Sequence, residues 1–202
     1  MTYIICSIND KRVVRDNFDC GVSELNEYLK KYAKQNDKNG IAKTWVAILD
    51  NNVDVLGYYA ISMAELKQDT LPEDYRQKLP RYPLPVIRIG KLAVAKSMQG
   101  KGLGETLLVD ALTRGKRLAD DIGVYGSTVD AINENAKNFY LSYGFIPLCD
   151  QQLSLFTAVF ALMKYILSPL LACGEGVGGG VLVPHNIGKC CISLKNLKGL
   201  LS

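Results

Sequence analysis

The feature that most constrains this chain is the stretch from Val94 to Leu107, where an apolar run ends in a glycine-rich turn and an amphipathic segment begins. Gln99, Gly100, Gly102 and Gly104 crowd the point at which a helix should start. Glycines there let several backbone N–H groups converge at the positive end of the helix dipole, so the turn reads as an anion site. Two other glycine motifs fail on the same residues. A dinucleotide fingerprint beginning at Gly100 and Gly102 would need a third glycine where Glu105 stands, and no Gly-Lys-Ser/Thr closes the turn as a triphosphate loop requires. Gln-x-x-Gly-x-Gly, at Gln99, Gly102 and Gly104, is the pattern that fits.

The 202 residues suffice for one domain with a substantial core. An apolar fraction of 48% with 22% charged residues excludes disordered, collagen-like and coiled-coil chains. A net charge of +4 permits an acidic partner such as RNA without requiring one. Six cysteines, at 6, 20, 149, 173, 190 and 191, include no C-x-x-C pair and follow no signal peptide, so reduced thiols in the cytoplasm are expected. Cys173, His185, Cys190 and Cys191 match no usual zinc spacing, and no metal is expected.

Thr2 to Ile8 reads as a first strand, followed by a basic loop with Lys11, Arg12 and Arg15. Leu25, Tyr28, Leu29, Tyr32 and Ala33 recur at helical spacing after Ser23, the expected N-cap, and the helix stops near Asn39-Gly40. Lys43 to Leu49 and Val55 to Met63 read as an antiparallel hairpin, with Gly57 marking a bulge. Lys67 to Pro85 carries four prolines and has room for one short helix, around Glu73 to Lys78. Pro85 to Val94 is then a central strand. The helix beyond the glycine turn buries Leu103, Leu107, Leu108, Ala111, Leu112, Leu118 and Ala119, is weakened by Gly115, and ends near Gly123. Val124 to Ile132 is a strand and Asn133 to Tyr143 a short helix, which makes a crossover pattern with parallel strands. Leu153 to Ala172 has the length of a membrane span, but Lys164 near its middle would cost roughly 3 kcal/mol there, so buried strands are expected and no membrane association. Ser168 to Ser202, rich in glycine, shows no usable period.

A second pattern follows the first. Asn133, Ala136, Tyr140, Gly144 and Phe145 fit Asn-x-x-Ala-x-x-x-Tyr-x-x-x-Gly-Phe. The two patterns, in this order with a strand between, resemble the acetyl-CoA site of the GCN5-related N-acetyltransferases, the GNAT family. Upstream, Phe18-Asp19-Cys20-Gly21, Leu25-Asn26-Glu27-Tyr28-Leu29, Gly57-Tyr58-Tyr59-Ala60 and Gly90-Lys91-Leu92-Ala93-Val94 resemble the GNAT toxins of type II toxin–antitoxin modules. The resemblance runs over roughly residues 10 to 166. It departs from the pattern at Gln151 to Val159 and over the last thirty-odd residues, so residues 1–166 are expected to form the acetyltransferase domain and 167–202 an unassigned tail.

The resemblance implies an α/β (α+β) GNAT fold: a mixed central sheet, flanked by helices, that splays between its fourth and fifth strands. Acetyl-CoA would lie in the splay as co-substrate. Leu92 and Val94 would offer backbone groups to pantetheine, and the N–H groups of Gln99, Gly100, Lys101, Gly102, Leu103 and Gly104 would hold the pyrophosphate, with Asn133 on the cofactor arm. Tyr140 is the expected catalytic residue, since a phenol of pKa about 10 can protonate a thiolate whose thiol lies near 8.5. The implied reaction is acetylation of the α-amine of aminoacyl-tRNA, which blocks translation. A ribbon-helix-helix antitoxin is the implied partner, and a homodimer is compatible with this reading. Lys11, Arg12, Arg15, Arg81, Arg88 and Lys91 are candidate contacts to tRNA phosphates. The rival readings are a GNAT enzyme acting on a small amine or a protein, and a CoA-binding module without catalysis.

Overall fold

The computed structural model describes residues 3–50, 52–77 and 79–158. The tail from residue 167, with Cys173, His185, Cys190 and Cys191, lies outside them. The described strands, β1 (Tyr3–Ser7), β2 (Lys43–Leu49), β3 (Asn52–Leu66), β4 (Leu84–Val94), β5 (Gly126–Asp130), β6 (Ile146–Pro147) and β7 (Ser154–Ala158), form one mixed sheet in the order β1-β2-β3-β4-β5-β7-β6. The β4–β5 pair is parallel, and the other pairs are antiparallel. β7 forms and pairs with β5 along its whole length, although its sequence departs from the family pattern.

Helices cover both faces because alternate strand residues are apolar on each. One face packs α4 (Leu103–Asp121) and α5 (Glu134–Ser142): Leu103, Leu107, Leu108 and Leu112 meet Tyr59, Ile89, Val129 and Leu155. Full burial of each such side chain contributes about 1.5–3 kcal/mol. The opposite face packs α1 (Ser23–Glu27) and α2 (Ala33–Lys38), whose Leu25, Leu29 and Ala33 region meets Val46, Ile48, Tyr58 and Ala93. A short α3 (Glu73–Arg76) occupies the proline-rich loop.

Several local expectations are corrected. Ser23 is the first helical residue rather than the cap; Val22 holds the cap position with no side-chain bond. The helix it opens is interrupted by a π-helical turn, Tyr28–Tyr32. Gly57 does border an irregularity, the register of β2 on β3 shifting between Ala47↔Gly57 and Leu49↔Asn52, and it has a packing role besides. A Cβ there would stand 2.8 Å from Leu107 Cδ1 and 3.1 Å from the Ala93 carbonyl, so the glycine admits α4 against the sheet. Gly115 has a similar reason, its missing Cβ lying 2.9 Å from Ile87 Cδ1. Leu118, at the far end of α4, is exposed.

A second irregularity, a bulge, falls in β4. Pairing with β3 runs from Ala60↔Lys91 directly to Ile61↔Ile89, which leaves Gly90 as the extra residue. β4 and β5 pair only from Val86↔Gly126 to Ile89↔Val129. From the bulge onward the two strands part, and this is the splay that positions the site.

Candidate active site

The glycine turn closes the open end of the splay. A 3-10 turn, Lys96–Met98, leads from β4 into Gln99, and Gly100 and Gly102 both adopt left-handed backbone, with φ of +71° and +80°. Gly102 occupies the N-cap of α4 without a capping side chain. Among the described residues no group accepts from the N–H of Gly100, Lys101 or Gly102. The first helical N–H groups, those of Leu103, Gly104 and Glu105, have no intrahelical acceptor either. No atom lies within 4 Å of where a Cβ would stand on Gly100 or Gly102, so the turn faces open space on that side. Alternating left-handed residues that bare their N–H groups at a helix N-terminus make a concavity suited to a diphosphate.

Other members of the predicted set have distinct surroundings. Lys101 is exposed, whereas the Leu103 side chain is fully buried, so only its backbone faces the turn. Gln99 Nε2 donates to two carbonyls, those of Cys20 and Val94, each at 3.0 Å. Its side chain therefore pins the turn. Leu92 and Val94 lie beyond the bulge, where β5 no longer pairs with β4, and their other edge pairs with Tyr59 and Gly57 of β3.

Across the splay, Asn133 caps α5, its Oδ1 accepting from the Ala136 N–H at 2.9 Å. Tyr140, seven residues on, is buried. Its ring packs against Phe139 and Phe145 at centroid distances of 5.2 and 5.5 Å, and its hydroxyl has no hydrogen-bond partner among the described residues. Burial pushes the phenol above its ordinary pKa, which keeps it protonated. Gly144, at φ +79°, ends the helix and turns Phe145 back onto Tyr140. Nearby Tyr143 is pushed up to about 12, first by burial and then by Glu105 in the first turn of α4.

The predicted basic contacts have separate engagements. Lys11 is exposed, and Arg12 holds Asp10 in a two-bonded ion pair that draws that carboxyl down to about 2. Arg15 Nη1 donates to the Leu29 carbonyl at 3.2 Å, tying the loop to the π-helical turn. Arg88 pairs with Asp130 where β4 and β5 run side by side. Lys91 stands over the Tyr28 ring at 5.7 Å, and Arg81 is exposed in the loop before β4. Reading the sequence did not find Gly90, whose bulge opens the splay; a lone glycine in a strand was the available signal.

This geometry has counterparts among known proteins. Residues 40–147 match the family model for the acetyltransferase (GNAT) domain. A tRNA-acetylating toxin of Mycobacterium tuberculosis is 35% identical over 129 residues, or 64% of this chain and 76% of the toxin. AtaT complexed with acetyl-methionyl-tRNAfMet superposes with a TM-score of 0.76 at 28% identity, covering 82% of this chain and 99% of AtaT. A Tyr-to-Phe variant of AtaT, bound to the C-terminus of the antitoxin AtaR and acetyl-CoA, superposes with a TM-score of 0.69 at 26% identity, covering 82% and 97%. The family match spans more than half of the chain, including the strands that part at Gly90 and the helix bearing Tyr140, and on that ground the chain belongs to the GNAT acetyltransferase family.

Proposed function

We propose that this chain transfers the acetyl group of acetyl-CoA to the α-amine of aminoacyl-tRNA, as the toxin of a type II toxin–antitoxin module. One observation carries the reading: the bared N–H groups of the Gly100–Gly104 turn stand at the start of α4 and the unpartnered hydroxyl of Tyr140 on α5, the two helices that follow the parting strands β4 and β5. Relatives described as acetylating tRNA, and as bound to acetyl-CoA and an antitoxin, support the substrate and the partner.

The residues fit acetyl-CoA. Gly100 and Gly102 leave clear the volume a pyrophosphate needs against the backbone, and the N–H groups from Gly100 to Gly104 supply its donors; the Gln99 N–H, expected among them, is taken by the Lys96 carbonyl at 3.4 Å. The unpaired edge of β4 at Leu92 and Val94 suits the amide groups of pantetheine, with Asn133 on the other wall. The neutral α-amine attacks the thioester carbonyl, the C–S bond breaks, and Tyr140 donates its proton to the departing sulfur. A phenol kept neutral by burial is the form that step requires. An α-amine of pKa about 8 is already partly neutral at physiological pH, so water suffices to take the amine's proton.

The acetyltransferase domain is taken as residues 1–166, acting in the cytoplasm and neutralised by a ribbon-helix-helix antitoxin. No helix among the described residues is long and apolar enough to cross a membrane. The test is acetyl transfer by the purified chain to a panel of charged tRNAs, with polyamines and proteins as competing acceptors. The reading expects transfer to one or more charged tRNAs and none to the uncharged forms. Equal transfer to uncharged tRNA, or transfer to polyamines alone, contradicts it.

A further inference from the structure

The Phe18-Asp19-Cys20-Gly21 segment has no part in the reaction as proposed, yet it touches the cofactor turn at several points. Asp19 Oδ1 accepts from the Gly21 N–H at 2.8 Å and from Asn26 Nδ2 at 2.9 Å, while Asn26 accepts from the Cys20 N–H at 2.9 Å. These bonds order the loop that leads into α1. The other carboxylate oxygen reaches a residue far along the chain: Asp19 Oδ2 accepts from Lys96 Nζ at 2.8 Å. The Asp19 carbonyl also accepts from the Lys96 N–H at 2.9 Å, and the Cys20 carbonyl accepts from Gln99 at 3.0 Å. Lys96 and Gln99 bracket the 3-10 turn that feeds Gly100–Gly104. The approach is close throughout, since a Cβ on Gly21 would stand 3.0 Å from Lys96 Cε. The Lys96 ammonium, then the Gly21 N–H, hold the Asp19 carboxyl well below the usual range, so it is charged at any working pH.

We propose that Asp19 is a positioning residue that acts through Lys96: it holds the glycine turn in its anion-binding shape and ties it to the start of α1, on the opposite face of the sheet. The proposal rests on the reading of Gln99–Gly104 as the acetyl-CoA pyrophosphate loop. Two left-handed glycines leave that turn conformationally free, and a turn fixed beforehand loses less entropy when a ligand arrives. Asp19 and Lys96 are both more than half exposed, so their ion pair adds little to global stability. Its effect falls on the affinity for cofactor.

The test is a double-mutant cycle in the full chain, read by calorimetric titration of acetyl-CoA. Asp19→Asn keeps an oxygen for Gly21 and Asn26 but turns an amide nitrogen toward Lys96, and Lys96→Met removes the same bond from the other side. Each single variant should weaken acetyl-CoA binding about three- to fivefold, with the double variant no weaker than the worse single. The melting temperature of the free protein should not change, and the acetyl-CoA KM should rise at constant kcat. Unchanged affinity in Asp19→Asn overturns the proposal. So do additive losses in the double variant, which would mean that Lys96 meets the phosphates independently of Asp19, and so does a loss of affinity that tracks a fall in melting temperature. A wild-type chain that binds no acetyl-CoA overturns the loop assignment and the proposal with it, whereas wild-type binding with an unaffected Asp19→Asn overturns the proposal alone.

Discussion

Gly104 faces Phe139 across the space of one methyl group: a Cβ on the glycine would stand 3.8 Å from Cζ of the ring. One residue lies in the first turn of α4 and the other precedes Tyr140 on α5, so the two sequence patterns, separate along the chain, come within a methyl group of each other. A side chain added at Gly104 would therefore reach the helix that carries the proposed acid.

Gly102→Val is expected to abolish acetyl-CoA binding while leaving a folded protein. Valine at φ +80° costs about 1–2 kcal/mol of backbone strain, and its side chain enters the open space beside the turn. Calorimetry with acetyl-CoA checks the first effect and thermal melting the second. Wild-type affinity would remove the turn from the site.

The pH profile follows from the tyrosines. Burial raises Tyr140, so the proton donor stays intact across the neutral range, and kcat/KM should rise as the α-amine deprotonates and level off above about pH 8, with no falling limb before about pH 10. Tyr58 and Tyr59 are likewise raised, burial being the largest cause. A phenol with a raised folded pKa contributes stability that is fully present below its unfolded value, near 10, and is lost as pH rises past it. Denaturant titrations should therefore show constant contributions from these groups up to about pH 9.5 and a loss beyond. A falling activity limb near pH 8 would contradict a buried phenol as the acid.

The strand, glycine turn, helix, strand and capped helix from Leu84 to Ser142 were legible because each signal is local: an apolar run, a cluster of glycines, a helical period, an Asn at a cap. What escaped depends on partners far along the chain. Gly57 could be read as a bulge but not as the place where α4 comes close, because the sequence does not show Leu107 packed above it, and the bulge at Gly90 exists only in register with Ala60 and Ile61. β6, two residues long, is defined by β7 alone. The basic residues were legible as charges, but their engagements, Arg15 with a carbonyl and Arg88 with Asp130, were not.

Gly126 gives a measure of that hidden constraint. A Cβ there would stand 2.4 Å from both the Phe156 ring and the Thr157 carbonyl, and the backbone cannot withdraw without opening the β5–β7 pair. Gly126→Ala should destabilise the domain by about 2–4 kcal/mol in urea titration. A midpoint like that of the wild type would contradict the packing of β7 on β5.

Salt should separate RNA from small acceptors. Each phosphate that a Lys or Arg neutralises releases condensed counterions, so transfer to charged tRNA should weaken steeply as salt rises, while transfer to a small aminoacyl ester should not. Replacing Lys11 and Arg12 with alanine should lower the salt slope by about 0.7–0.9 for every phosphate left without its cation and raise KM for tRNA, leaving acetyl-CoA affinity unchanged. Arg15 is better kept, because its bond to the Leu29 carbonyl supports the π-helical turn. Identical slopes for wild type and variant would assign Lys11 and Arg12 to the solvated surface.

The most direct measurement follows acetyl label from acetyl-CoA onto charged tRNA, with wild-type and Tyr140→Phe proteins side by side and the modified atom identified by mass spectrometry of the nuclease-released aminoacyl-adenosine. The account predicts label on the α-amine. It also predicts that Tyr140→Phe lowers kcat by about 10²–10⁴-fold with little change in the acetyl-CoA KM or in melting temperature, because the ring keeps its packing on Phe139 and Phe145 and only an unpartnered hydroxyl is removed. Label elsewhere than the α-amine, or a Tyr140→Phe protein that turns over at the wild-type rate, would contradict it.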